Sequence, residues 1–98
     1  MKLDLERMLH KVEQGQWSLA DVDWRAPGAT AIRPEQRADL KAFMTDLVWI
    51  EHVGARGFAA LADQAKDPTL RAIYRHFEHE EERHAQACLL YTSDAADE

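Results

Sequence analysis

Three residues of this 98-residue chain combine side-chain type and spacing in a way that suits metal chemistry: Glu51, and Glu81 with His84 in the run Glu81-Glu82-Arg83-His84. Carboxylate oxygen and imidazole nitrogen are donors that divalent first-row metals accept. Residues three apart on a helix project from one face, so an E-x-x-H can hold one ion or bridge two. All three fall where the helical period of their neighbours calls for a leucine. Burying an unpaired carboxylate costs several kcal/mol, so each needs a compensating partner, and a metal cation is the expected one.

Two helices must position them. Pro34 suits a first helical position, whose N–H has no partner in any case, and Glu35 suits the positive end of the dipole. The spacing predicts a helix from Pro34 to about Ala65, with a buried stripe of Leu40, Phe43/Met44, Leu47, position 51, Gly54/Ala55, Phe58, Leu61/Ala62 and Ala65. Asp67-Pro68 supplies a cap and a second helix start after a very short turn. The stripe of that helix is Leu70, Ile73/Tyr74, Phe77 and positions 81, 84 and 88. Two helices joined so tightly are antiparallel neighbours. With the turn near residue 66, Glu51 and Glu81 each lie 15 residues from it, level on facing helices.

Competing readings attach to the same residues. Glu78, Glu80, Glu81 and Glu82 form a charge run of the kind that lines a solvated face, and a metal-free hairpin would pair its Glu and His with each other. His79-Glu80 begins a zinc-protease H-E-x-x-H, but the closing position, 83, is arginine. Gly54 and Gly57 follow Glu51 and each costs about 1 kcal/mol inside a helix. They open space for a substrate or admit a neighbouring helix, the second being the expectation. His52, His76 and His79 are expected at flanks or on the surface, Glu78 exposed, and Trp49 and Tyr74 in aromatic packing.

Upstream, Leu3, Leu5, Met8, Leu9 and Val12 predict a short amphipathic helix over 3–14 that Gly15 ends. Gln16 to Arg33 reads as an ordered but irregular leader. It contains Trp17, Trp24 and Pro27-Gly28, a helical turn capped by Ser18 or Asp21, and two tryptophans expected to lie on an apolar surface built by other elements. The net charge of −6 argues against nucleic acid or an anionic membrane as partner. No apolar run nears the roughly 18 residues a membrane span needs, and the acidic N-terminus is unlike a secretory signal, so a cytoplasmic location is expected. The single Cys88 excludes a disulfide framework within the chain.

Glu51 and Glu81-Glu82-Arg83-His84 resemble the first half-site of the ferritin-like diiron-carboxylate superfamily, over residues 34–87. The resemblance implies an all-α fold: an antiparallel hairpin forming half of a four-helix bundle, preceded by the short helix and leader of residues 1–33. It further implies that Glu51 is a terminal ligand of one iron, that Glu81 bridges two, and that His84 completes the first iron's shell, with manganese as an alternative metal. The second Glu and second E-x-x-H of the family pattern are absent from this chain. Residues 67–84 look similar to encapsulated ferritins, short chains that build the site between two protomers, which makes a homodimeric ferroxidase one reading. Trp17 to Trp24 followed by Pro34-Glu-Gln-Arg37 looks more like the approach to the bundle in ribonucleotide-reductase-like and oxygenase-type proteins. That favours an O₂-dependent oxidoreductase acting on a small organic substrate, with metal ions and O₂ as partners; a metal-free interaction module is the third reading.

Cys88 to Glu98 resemble the in-frame translation of a transposase-type sequencing adapter, so residues 88–98 are expected to be a non-native tail. Leaving out Asp94, Asp97 and Glu98 reduces the acidic residues from 18 to 15 against the same 12 basic ones. A chain of this size is marginal for burying a core, and it is expected to be a fragment that continued beyond Ala87 and, alone, to be inactive.

Overall fold

The computed structural model describes residues 2–28 and 31–94. They form three α-helices, α1 (Leu5–Gln14), α2 (Pro34–Gln64) and α3 (Pro68–Asp94), with a 3-10 turn at Leu19–Asp21 between the first two. No strand occurs among the described residues. The expected non-native tail overlaps α3, which continues through Cys88 to Asp94; residues 95–98 of that tail lie outside the described residues, as do residues 29 and 30 of the leader.

Local chemistry sets each boundary. The Asp4 side chain accepts from the Arg7 backbone N–H at 3.0 Å to start α1, and the Gly15 N–H donates back to Lys11 O where it stops. In the leader, the Ser18 backbone N–H donates to the Asp21 side chain at 2.8 Å, closing a 3-10 turn with Ser18, one of the two expected caps, at its start. Pro34 opens α2, and the Gln36 side chain reaches back to the Arg33 N–H at 3.2 Å. Asp67 Oδ1 accepts from the N–H groups of Thr69 and Leu70 at 2.8 and 3.0 Å, satisfying two of the orphan donors at the start of α3. The Arg71 guanidinium ties the turn by donating to Ala65 O at 2.7 Å.

Helices α2 and α3 pack side by side, and the residues that meet fix their antiparallel sense. Asp63 meets Arg75, Phe58 meets Tyr74 and Phe77, and Glu51 meets Glu81 and His84. The buried core is Ala55, Ala62, Ile73, Ala85 and Cys88, mostly small side chains that allow close approach of the helices. The Phe58 ring packs edge-on against Phe77 at 5.3 Å and stacked with Tyr74 at 6.4 Å. Helix α1 packs against α3. The result is elongated, 51 × 24 × 24 Å.

The predicted stripes face the seam, with two departures on α2. Phe43 and Leu61 turn outward, 58% and 44% exposed, while their stripe neighbours Met44 and Ala62 face inward. Trp49, expected in aromatic packing, is 73% exposed, and Ile50 and Val53 beside it are also open. With only α3 across the seam, a helix with apolar residues over a wide arc keeps part of that arc uncovered. No helix among the described residues is long and apolar enough to cross a membrane.

Candidate metal centre

Glu51 stands midway along α2, and Glu81 and His84 stand one turn apart on the facing side of α3. Each is half-buried, and each offers one ligand atom such that the three atoms lie within 4.8 Å of one another. The arithmetic that set Glu51 level with Glu81 across the turn agrees with this arrangement. His84 Nδ1 is 3.4 Å from Glu51 Oε2, at the outer limit of a hydrogen bond.

The electrostatics of the pair are those of a site lacking positive charge. A hydrogen bond to the Glu51 carboxyl, partial burial and the Glu51 charge push the Glu81 carboxyl up to about 7, with His84 opposing. A carboxyl held this close to another carboxylate ionises less readily than an isolated one. Gly54 makes the arrangement sterically possible: a Cβ at that position would lie 2.9 Å from Glu81 Oε2 and 3.1 Å from its carboxyl carbon. The atoms that a side chain at 54 would meet first are therefore those of Glu81. Gly57 faces open space, with nothing within 4 Å of such a Cβ.

Around His84 lies a set of contacts that sequence reasoning missed. Glu80 was part of a charge run expected to be solvated; instead its Oε1 accepts from the Trp17 indole N–H at 2.7 Å and lies 3.1 Å from His84 Nε2. Its Oε2 pairs with the Arg83 guanidinium. Burial alone would raise the Glu80 carboxyl, but the hydrogen bonds from Trp17 and Arg83 and the charges of Arg83 and His84 outweigh it and hold the group below its ordinary value. The one available signal was that Glu80 precedes His84 by four residues, the spacing of a same-face contact.

Trp17, expected on an apolar surface, also meets polar groups. Its ring stacks on His84 at 6.2 Å and 24°, and the Arg83 guanidinium carbon sits 5.5 Å from its centre. Arg83 also donates to the Gln16 side chain at 2.8 Å. Trp24 is half exposed and folds back on the leader, its indole N–H donating to Leu19 O.

The other candidates lie elsewhere. His52 is exposed and, with Glu78, Trp49, Arg56 and Glu82, lines an open groove distinct from the Glu51, Glu81 and His84 group. Glu78 is ion-paired to Arg75 at 3.0 Å and largely covered, where exposure was expected, because Arg75 reaches both it and Asp63 across the seam. His79 is exposed and His76 half-buried. Cys88 is buried, and burial followed by the Glu51 charge pushes its thiol up, so it is a poor thiolate donor to the group.

No family model, curated protein or solved structure matches the chain. The donor set fits a divalent transition metal on its own chemistry. Two carboxyls and one imidazole nitrogen form a hard-to-borderline O₂N set, and a cation there would displace the proton that Glu81 holds up to about 7.

Proposed function

We propose that Glu51, Glu81 and His84 hold a divalent transition metal, and that the hairpin is one half of a ferritin-like diiron-carboxylate site in an O₂-dependent oxidoreductase acting on a small organic substrate. The observation that carries this reading is the convergence of three ligand atoms within 4.8 Å at positions where two helices would otherwise bury leucines. The raised Glu81 carboxyl supports it, because a group that holds a proton only for want of a better cation releases it to a metal.

Bound iron would supply the redox chemistry, taking electrons from the substrate and a donor and passing them to O₂. The chain's own residues have narrower tasks. Glu51 and Glu81 provide negative charge on facing helices, Gly54 leaves the space in which Glu81 can reach its partner, and His84 presents Nδ1 to the same point. Three protein donors leave coordination positions open, for ligands from a second helix pair and for O₂.

A cobalt(II) titration of the full chain, read by visible absorption, tests the metal reading. Wild type is expected to bind, and Glu51→Ala combined with His84→Ala to lose at least about tenfold in affinity, as removal of ligands does. An unchanged titration in the double variant would sink the proposal.

The exposed apolar residues of α2, Trp49, Ile50 and Val53, favour a second reading in which the bundle is completed by another copy of the chain and Fe²⁺ is itself the substrate. Sedimentation with and without ferrous ion separates the two. A discrete dimer holding two irons per pair of chains favours the ferroxidase, whereas a monomer that binds metal weakly favours the half-site of a longer oxidoreductase.

A further inference from the structure

Glu80 and the leader residue Trp17 remain without a role in metal ligation, yet they are the best-connected polar groups near it. Glu80 Oε1 accepts from the Trp17 indole N–H at 2.7 Å and lies 3.1 Å from His84 Nε2, and Oε2 is taken by Arg83. Both carboxylate oxygens are thus engaged, so the group is fixed rather than free to swing into solvent. The His84 ring is held from two directions, by Glu80 at Nε2 and by the stacked Trp17 face, and its Nδ1 faces Glu51 Oε2 at 3.4 Å. Gln16 and Arg83 fasten the leader at the same point, although 67 residues separate them in sequence.

A neutral imidazole carries one ring proton, and the nitrogen that donates it cannot present a lone pair. A carboxylate at Nε2 selects the tautomer protonated there, which leaves the Nδ1 lone pair directed toward Glu51 and Glu81. Partners of this kind fix ring orientation and raise the basicity of the ligating nitrogen.

We propose that Glu80 is a positioning residue for His84, that it selects the Nε2–H tautomer with Nδ1 free for a divalent metal, and that Trp17 of the leader holds Glu80 in place. The leader is then a working part of the site and not only a connection into α2. This inference rests on the metal-binding reading for its purpose, but not for its first measurement.

Long-range proton–nitrogen correlation spectra of the full ¹⁵N-labelled chain, at about pH 8 and so above the usual histidine range, read the His84 tautomer without metal. Wild type is expected to be predominantly Nε2–H, and Glu80→Ala to drift to a mixture or to Nδ1–H while its far-UV circular dichroism is unchanged. Cobalt(II) affinity should fall by about 10–100-fold in the same variant, the loss typical when such a partner is removed. If Glu80→Ala proves too unstable to read, Trp17→Phe keeps a ring over His84 and removes only the indole donor; a smaller shift in the same direction is expected. A wild-type Nδ1–H tautomer, or a tautomer ratio indifferent to both variants, overturns the proposal. If the tautomer depends on Glu80 but the wild-type chain takes up no cobalt, the positioning role stands and the metal reading fails.

Discussion

Glu81 occupies the space that a side chain at Gly54 would fill: a Cβ there would come within 2.9 Å of Glu81 Oε2. The contact crosses from α2 to α3 and joins a glycine that weakens its own helix to a carboxylate that needs its room. The cost of a glycine in a helix interior, about 1 kcal/mol relative to alanine, is thereby linked to the site.

Gly54→Ala and Gly57→Ala should therefore behave differently. Both gain helix propensity, and Gly57→Ala, which meets nothing within 4 Å, is expected to stabilise the chain by up to about 1 kcal/mol with unchanged cobalt affinity. Gly54→Ala displaces the Glu81 carboxyl, so its affinity should fall even if its melting temperature holds or rises. Thermal melts paired with metal titrations of the two variants check this, and equal affinities would contradict the assigned role of Gly54.

The pH dependence follows from Glu81, whose carboxyl is raised in the folded state from an ordinary 4.5 to about 7. The folded protein holds that proton more tightly than the unfolded chain. The associated stability is complete below about 4.5 and is lost as pH rises toward 7. Urea unfolding of the metal-free chain across this window should show declining stability, and Glu81→Gln should flatten the decline. Metal binding should strengthen over the same window and release a proton, measurable by calorimetry in buffers of different ionisation enthalpy.

Asp67 caps α3 through two backbone N–H groups, those of Thr69 and Leu70. Asp67→Ala is expected to cost about 1 kcal/mol, with Asp67→Ser recovering most of it. Denaturant midpoints of the two variants check the claim, and the cobalt spectrum should be the same in both because the cap lies far along α3 from Glu81.

Ile73 is the largest fully buried side chain among the described residues, 2% exposed in a core otherwise built of Ala55, Ala62, Ala85 and Cys88. Ile73→Ala should cost about 2–5 kcal/mol and Ile73→Val about 1 kcal/mol. A core this small has little stability to lose, so the alanine variant is expected to show a broad, weakly cooperative thermal transition by circular dichroism.

The sequence by itself determined the helices and the meeting of Glu51, Glu81 and His84. Caps and breakers act within a few residues of themselves, so Gly15, Pro34 and Asp67 with Pro68 make the end of α1 and the starts of α2 and α3 legible. A three-residue turn between long helices leaves the antiparallel arrangement as the compact choice, and helical period then sets Glu51 opposite Glu81 and His84. Tertiary structure alone decided what surrounds that group. Whether Glu80 is solvated or bonded depends on where Trp17 lands, 63 residues away, and no periodicity encodes that. Glu78 is covered by the same logic, since Arg75 bridges to it and to Asp63 on the facing helix. The division has one physical cause: capping and amphipathic period are short-range properties of the chain, whereas the partner of a polar side chain is fixed only when distant segments meet.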